Sequence, residues 1–431
     1  MSPAIRSFTS LALALIWSAC GAPRYRAGAG APGYAASDAV AAPGEPARVG
    51  SGGVRAGEWD DNANYREFQK LMTRNGNSRL RPLDIRDRQF VVVRDSDGKP
   101  VPSCRLEIVD GAGHRAELTT LSSGRAILFP RDAGLASPDV TVEATCGQET
   151  IRRAAELADG EGVIQLELRT PRAVPARPTP ARPTVAMPAI DLAFVLDTTG
   201  SMSEEIASVL DTLRTVAAGA GQLGATVRVA IVEYKDHGDP FVTRVHPFTG
   251  DLDAFRRQVS GIRASGGGDM PEDVDAGLAA AMTKLDWNPA AVARLAFLIG
   301  DAPPQRYANE PGYDASARVA ARRGIQIFTI AASGMDGYGQ LVWRQVAQFT
   351  GGTNMFVLRG GAGPQSTGAG DPMSSCGGTQ TGYTSANLDQ LVLGKLRAAV
   401  AALDADPMEI PGLGGDETSV PCTQRAVARS R

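Results

Sequence analysis

Apolar runs that suit β-strands alternate with helical repeats through residues 189–405, and this order constrains the fold more than any other feature. Strands that alternate with helices predict a mostly parallel sheet with helices on both faces, because a right-handed crossover between parallel strands carries a helix. A hairpin through residues 226–247 adds one antiparallel edge strand. The predicted fold class is therefore α/β, with a doubly wound, Rossmann-like sheet.

Residues 191–201 read DLAFVLDTTGS, which predicts a buried strand that ends in a polar turn. The turn brings Asp197, Thr199 and Ser201 within five residues. Open α/β sheets bind ligands at the carboxyl ends of their strands, and carboxylate and hydroxyl oxygens are the ligands that Mg²⁺ prefers. We therefore expect half of a hard-cation site at this turn.

Other polar segments reach the same edge of the predicted sheet. Strands at 226–234 and 294–300 run parallel to the first strand, and a helix at 251–263 returns the chain to the edge where they end. The polar residues that follow these elements are Asp236, His237, Asp239, Asp269 and Asp301. We expect the other half of the cation site among them.

The segment DTTGSM at 197–202 resembles the D-x-[ST]-x-S signature of von Willebrand factor type A (vWA) domains, which bind a divalent cation in a metal-ion-dependent adhesion site. YKDHGD, GGGDMPED and FLIGDAPP resemble the vWA subgroup of hemicentins and alpha-kinase-associated modules. The resemblance implies that Mg²⁺ or Mn²⁺ binds and that a partner's carboxylate fills one coordination position. The metal ligands that it implies are Asp197, Thr199, Ser201, Asp269 and Asp301.

Asp269 departs from the resemblance, since the family usually has a threonine at this position. A third carboxylate around a 2+ ion tightens metal binding but weakens the attraction of the ion for an acidic ligand. Alternatively, Asp269 caps a helix that begins at Pro271, because Asp before Pro is a common start signal. The sequence leaves both roles open.

His237 lies between Asp236 and Asp239 in a glycine-containing turn. These three residues are possible accessory ligands. His237 could also be a general base or a part of the turn, and the sequence favours the turn. Glu272 and Asp273 fall in the first turn of a predicted helix, where the helix macrodipole alone explains carboxylates.

Three functions are compatible with these residues. The first is a non-enzymatic, metal-binding module that binds another protein. The second is a metal-dependent hydrolase, in which a cation bound by Asp197, Asp269 and Asp301 activates water near His237. The third is a scaffold whose polar cluster only stabilises the fold. The sequence contains no G-x-S-x-G, H-E-x-x-H or Walker-type motif, so we favour the first and assign no catalytic residue.

Residues 84–170 contain short β runs between turn signals, which predict a small all-β, antiparallel sandwich. VRDSDGKPVPSCRLEIVD, followed by SSGRAILFP, resembles the carboxypeptidase-regulatory-like, transthyretin-like sandwich family. Nothing in this domain converges on catalysis. We expect a structural unit or a weak binding surface.

Residues 1–20 have the composition of an export signal, with Arg6 before a short apolar run at 11–16. SACG around Cys20 resembles a bacterial lipobox, which implies lipidation of Cys20, and Gly21 after it favours the outer membrane. The alternative is an ordinary secretory signal. Residues 21–57, rich in Gly, Ala and Pro, predict a disordered tether.

The remaining segments are a short helical segment at 58–83, a proline-rich linker at 171–188, a glycine-rich insert at 359–384 and a tail at 406–431. The cysteines other than Cys20 are Cys104, Cys146, Cys376 and Cys422. Four cysteines allow three pairings, and proximity favours Cys104 with Cys146 and Cys376 with Cys422. The formal net charge of -3 gives no basic field for nucleic acid. The expected partners are another protein at the cell envelope and, through the lipid, the membrane.

Overall fold

The computed structural model describes residues 54–75, 80–81, 83–172, 187–268, 271–332, 334–357 and 383–415. The strands are β1 Arg55–Trp59, β2 Gln89–Arg94, β3 Arg105–Asp110, β4 Arg115–Thr119, β5 Arg125–Leu128, β6 Asp139–Cys146, β7 Glu149–Glu156, β8 Gly162–Glu167, β9 Ala189–Asp197, β10 Thr226–Tyr234, β11 Thr243–Thr249, β12 Ala293–Gly300, β13 Ile325–Ala331, β14 Asn354–Val357 and β15 Tyr383–Asn387. The helices are α1 Tyr65–Asn75, α2 Ile206–Ala220, α3 Leu252–Val259, α4 Val274–Thr283, α5 Tyr313–Arg323, α6 Gly337–Phe349 and α7 Leu388–Ala401, with a 3₁₀ turn at Gly200–Glu204.

Eight strands form the main sheet, in the order β11-β10-β9-β12-β13-β14-β1-β15. The five strands from β10 to β14 in this order are parallel to one another. Alternate residues of β9 face opposite ways, so Phe194 and Leu196 pack under α2, α3 and α7, while Ala193 and Val195 pack under α4, α5 and α6. The predicted doubly wound α/β sheet is confirmed.

The prediction of a single antiparallel edge strand is wrong. β11 is antiparallel to β10 at one edge, and β1 is antiparallel to both β14 and β15 at the other. β1 also corrects two segment boundaries, because residues predicted as tether (21–57) or as the start of a helix (58–83) form this strand. Ala56 is fully buried, and the ring of Trp59 stacks on Phe356 with centroids 4.0 Å apart.

Two smaller sheets, β5-β2-β8 and β4-β3-β6-β7, share one apolar core. β2 and β8 are parallel, so the predicted all-antiparallel arrangement is wrong at this pair. β7 is an edge strand with mostly exposed side chains and no apolar run, so the sequence pattern does not mark Glu149–Glu156 as a strand. The resemblance of this region to the transthyretin-like family stays a prediction.

The smaller sheets pack on the main domain through α1 and α5. The apolar side chains at this contact are Tyr65, Phe68, Leu83, Ile85, Phe129, Ala317 and Phe349. Arg318 of α5 donates to both carboxylate oxygens of Asp132, at 2.9 and 2.8 Å. Among the described residues, no helix is both long and apolar enough to cross a membrane.

A disulfide joins Cys104 to Cys146, the pairing that the sequence favours. Cys104 is fully buried in the core between the two smaller sheets, and Cys146 packs against it. Cys20, Cys376 and Cys422 lie outside the described residues, so lipidation and the second pairing stay predictions.

Replacing both Cys104 and Cys146 with alanine is expected to lower the free energy of unfolding by about 2–4 kcal/mol, because a cross-link restricts the unfolded chain. The bridged residues are 42 positions apart. Urea unfolding followed by circular dichroism measures the change. Wild-type protein under reducing conditions is the control and should match the double variant. Equal stability of the oxidised wild type and the variant would contradict the prediction.

Candidate functional site

The turn after β9 forms a chain of hydrogen bonds that ends on the next strand. Oδ1 of Asp197 accepts from the backbone N–H of Thr199 at 2.9 Å and from its hydroxyl at 2.7 Å. The Thr199 and Ser201 hydroxyl oxygens are 3.0 Å apart, and Ser201 donates to Oδ1 of Asp301 at 3.0 Å. Asp301 follows β12, which pairs with β9 in parallel register. The structure therefore brings these four predicted ligands together.

A second loop closes over the turn through close backbone contact. The N–H of Gly200 donates to the carbonyl oxygen of Gly266 at 2.8 Å. A Cβ on Gly200 would lie 2.6 Å from that oxygen, so a glycine is required here. Gly266 and Gly267 both have positive φ, at 73° and 68°. The glycine run of this loop therefore serves its close approach to Asp197, Thr199 and Ser201.

Asp197 is fully buried, and its Oδ2 has no hydrogen bond of acceptable geometry among the described residues. The Tyr234 hydroxyl lies 3.5 Å from the carbonyl oxygen of Ile299 and also approaches the Asp197 side chain. Burial, and then the charge of Asp197, raises the pKa of Tyr234, and a hydrogen bond to Asp197 adds to the rise. Burial, with a further contribution from the charge of Asp301, raises the pKa of Asp197 to about 7. Burial also raises the pKa of Asp301. The site thus disfavours two bare carboxylates and favours a proton or a cation between them.

Glu272 also belongs to this site, which the macrodipole interpretation missed. It is 1% exposed, and its carboxylate lies beside the Thr199 side chain. Burial, and then the charge of Asp197, raises the pKa of Glu272 to about 8. Its backbone is fixed to the loop after β12, since its N–H donates to the carbonyl of Pro303 at 3.1 Å. Its place in the GGGDMPED segment, at the predicted sheet edge, was the available signal.

Lys235 is a buried cation at the rim of this cluster. Its Nζ donates to the carbonyl oxygens of Thr198 and Ser265, and so connects the two loops. Its charge lowers the pKa of Asp197. Burial lowers the pKa of Lys235 itself. One lysine opposite Asp197, Glu272 and Asp301 leaves the cluster negative.

The accessory candidates Asp236 and Asp239 contact other groups. Asp239 accepts from the N–H of Gly267, at 3.1 and 3.0 Å to its two oxygens. Asp236 accepts from the Tyr307 hydroxyl at 2.6 Å. Both residues therefore order the loops around the site.

Asp269 lies outside the described residues, so its role as a ligand stays a prediction. The helix that it was expected to cap begins later than predicted. Asp273 is the N-cap of α4, and its Oδ1 accepts from the N–H of Ala276 at 2.8 Å. The alternative in which Asp269 caps a helix that begins at Pro271 is therefore wrong, since α4 begins at Val274 and Asp273 caps it.

His237 contacts residues that the sequence reading did not connect with it. Its Nε2 lies 3.2 Å from Oδ2 of Asp273 and 3.0 Å from Oε1 of Glu310. Its ring stacks on Tyr307, with centroids 3.9 Å apart. Burial, together with the charge of Glu310, raises the pKa of Asp273 to about 7. Glu310 is 73 positions from His237 in a loop without a recognisable motif, so no local signal predicts this contact.

Residues 191–357 match the family described as von Willebrand factor A domain. An ariadne-like RING finger protein of Acanthamoeba polyphaga mimivirus is 33% identical over 122 residues, which are 28% of this chain and 12% of that protein. Von Willebrand factor A domain-containing protein 7 of Homo sapiens is 42% identical over 86 residues, which are 20% of this chain and 9% of that protein. The chain thus spans about a tenth of the length of these curated relatives.

Two solved structures are also similar. One is an aerotolerance-related membrane protein from Bacteroides fragilis, with a TM-score of 0.30, 14% identity, and coverage of 41% of this chain and 92% of that chain. The other is proximal thread matrix protein 1 from the mussel byssus with a zinc-occupied MIDAS motif, with a TM-score of 0.30, 12% identity, and coverage of 36% and 39%.

Proposed function

Because residues 191–357 form a von Willebrand factor A domain, we propose that this protein binds a divalent cation and uses the metal-bearing edge of the sheet to bind another protein. The ligands in this proposal are Asp197, Thr199, Ser201 and Asp301, with Asp269 as a fifth. The observation that carries it is the buried Oδ2 of Asp197, for which the described residues provide no hydrogen bond of acceptable geometry. A cation would satisfy this oxygen and neutralise the neighbouring carboxylates.

The donor set fits Mg²⁺ or Mn²⁺, because every candidate ligand is a carboxylate or hydroxyl oxygen. When bound, the cation supplies a coordination position for an oxygen atom of the partner. Asp197 and Asp301 supply charge, while Thr199 and Ser201 orient them through the hydrogen bonds described above. Because the raised pKa of Glu272 favours its neutral form in the metal-free protein, we propose that a bound cation would ionise it. Its negative charge would then tighten metal binding and reduce the preference for acidic partners.

We propose that the protein is exported and attached to a cell envelope by a lipid on Cys20. Support comes from the composition of residues 1–20 and from the Cys104–Cys146 disulfide, since such bridges persist in oxidising compartments. Mass spectrometry of the mature N-terminus tests this part. A diacylated Cys20 is the expected result, and a mature chain that begins at another residue would contradict it.

Calorimetric titration of chelator-treated, full-length protein with Mg²⁺ and Mn²⁺ tests the metal site. We expect saturable binding that Asp301→Asn weakens by at least roughly 100-fold, since even residues that only orient a ligand are worth about 10–100-fold. Asp253→Asn is the matched control, because Asp253 is a carboxylate on the exposed face of α3. Absence of binding by the wild type, or equal loss in both variants, would contradict the proposal.

A pull-down from envelope extract, with and without chelator, tests the binding role. The partner should be retained only with metal present and should be lost from Asp301→Asn.

We propose that the protein is not an enzyme, and in the structure His237 pairs with Asp273 and Glu310. Turnover of a phosphate or peptide substrate that His237→Ala removes, with Mg²⁺ binding intact, would favour the hydrolase instead.

A further inference from the structure

A second polar cluster lies next to the first and contains His237, Asp273 and Glu310. These side chains come from three segments: the loop after β10, the N-cap of α4 and the loop before α5. One ligand atom from each lies within 4.8 Å of the other two. Glu272 and Asp273 are adjacent in sequence, yet Glu272 faces Thr199 while Asp273 faces His237. The two clusters are therefore distinct.

Protein hydrogen bonds satisfy this second cluster only in part, since His237 bonds to Glu310 and the carboxyl groups of Asp273 and Glu310 lie close together. Nε2 of His237 can carry one hydrogen, but Oδ2 of Asp273 and Oε1 of Glu310 both approach it, at 3.2 and 3.0 Å. Asp273 is fully buried, and its Oδ2 has no geometrically acceptable hydrogen bond among the described residues. A buried carboxylate oxygen without a hydrogen bond is costly, so the direction of this oxygen toward His237 suits a positive ligand between the two side chains.

Two of the three distances between the ligand atoms suit a tetrahedral metal ion. Bonds of about 2.0–2.1 Å in a tetrahedral zinc site separate neighbouring ligand atoms by about 3.3–3.4 Å. The two distances from Nε2 are 3.2 and 3.0 Å, and a cation between the three atoms would widen them slightly. The side chains of His237 and Glu310 are 44% and 29% exposed, so water or a partner's side chain can reach a fourth position.

Neighbouring groups fix two of the three ligands in place. Tyr307 stacks on the His237 ring, and its hydroxyl is anchored on Asp236 at 2.6 Å. Asp273 uses Oδ1 to cap α4, and this bond leaves Oδ2 directed toward His237. Such supporting contacts are typical of metal sites, where a ligand needs a fixed orientation.

We propose that His237, Asp273 and Glu310 bind a second divalent cation, of the zinc class. The imidazole nitrogen distinguishes this site from the neighbouring one, whose ligands are all oxygen, because imidazole favours Zn²⁺, Co²⁺ and Ni²⁺ over Mg²⁺. This inference does not depend on metal binding at Asp197. The proposed second site differs from the accessory ligands predicted from the sequence, Asp236, His237 and Asp239. Asp236 and Asp239 order the loops through hydrogen bonds, and His237 instead contacts Asp273 and Glu310.

The test is a Zn²⁺ titration of untagged, chelator-treated, full-length protein in the presence of saturating Mg²⁺. We expect one equivalent of Zn²⁺ to bind to the wild type, and His237→Gln and Glu310→Gln each to weaken it by more than roughly 100-fold. His114→Gln is the matched control, because His114 also lies 3.0 Å from a carboxylate, that of Asp110, but belongs to no group of three possible ligands among the described residues. Co²⁺ substitution gives a second readout, through the visible absorption of a nitrogen-ligated ion.

The outcomes separate this proposal from the first one. Loss of Zn²⁺ from His237→Gln and Glu310→Gln, with Mg²⁺ affinity unchanged, supports the second site and also shows that the variants are folded. Retention of the Zn²⁺ equivalent in both variants overturns it. Loss of Zn²⁺ from Asp301→Asn alone would mean that zinc occupies the oxygen site, which overturns the second site and leaves the proposed function standing.

Discussion

Asp197→Asn is expected to raise the free energy of unfolding of the metal-free protein and to abolish its stabilisation by Mg²⁺. Asp197 is fully buried beside other carboxylates, and its Oδ2 has no hydrogen bond of acceptable geometry among the described residues. An asparagine keeps the acceptor for Thr199 and removes the charge. Thermal unfolding with chelator and with saturating Mg²⁺ measures both effects.

The size of the gain follows from the environment of Asp197. Burial raises its pKa from 3.8 to about 7, and each pKa unit corresponds to about 1.4 kcal/mol. The folded state then binds the proton more tightly than the unfolded state. Stability is therefore highest below pH 3.8 and declines until about pH 7, where it levels off. Above about pH 7 the free energy of unfolding of Asp197→Asn should exceed that of the wild type by a few kcal/mol. Between pH 3.8 and about pH 7 the variant should lose less stability than the wild type.

Asp191→Asn is the matched control, because it changes another buried aspartate on the same strand. Asp191 accepts two hydrogen bonds from Arg228, at 2.8 and 2.7 Å. Removing its charge leaves the Arg228 guanidinium without its partner, so this variant should be less stable with or without metal. If Asp197→Asn behaved like Asp191→Asn, the carboxylate of Asp197 would be a stabilising group and the cation argument would be wrong.

The predictable part of the site is the part that depends on strand direction. Asp197 and Asp301 end neighbouring parallel strands, so the alternation of strands and helices was sufficient to place them together. Glu272 was misread because its direction depends on where α4 begins, and the sequence reading started that helix at 271 instead of Val274. In the structure Glu272 precedes the N-cap Asp273, so the loop before α4 sets the direction of its side chain and helical periodicity does not.

Contacts between distant loops were beyond reach for a different reason. Glu310 lies in a loop after β12. Packing sets the path of this loop, so no periodic pattern in the sequence predicts the position of Glu310. β1 was missed because RAGEW contains neither an alternating apolar pattern nor a β-branched residue. Its position depends on two partners, β14 and β15, that lie about three hundred residues away along the chain.

Deletion of residues 54–59 is expected to unfold or strongly destabilise the main domain, although this segment lies far outside residues 191–357. β1 pairs with β14 on one side and β15 on the other, so its loss exposes backbone groups on both strands. It also removes the Trp59 ring from Phe356, and it removes Glu58, which bonds to Thr353 and pairs with Lys395. Circular dichroism and Mg²⁺ titration of the shortened chain measure the effect.

Trp59→Ala separates the side-chain part of this effect from the backbone part. Replacing a buried tryptophan with alanine costs roughly 3–5 kcal/mol of unfolding free energy. Trp59→Ala should therefore still fold, with lower stability, whereas the protein without residues 54–59 should not fold stably. Removal of residues 21–50, the predicted tether upstream of β1, is the control and should leave the melting temperature unchanged. A fragment that began at residue 189 and was as stable as the full chain would show that β1 is dispensable, and the eight-stranded sheet would then not be the folding unit.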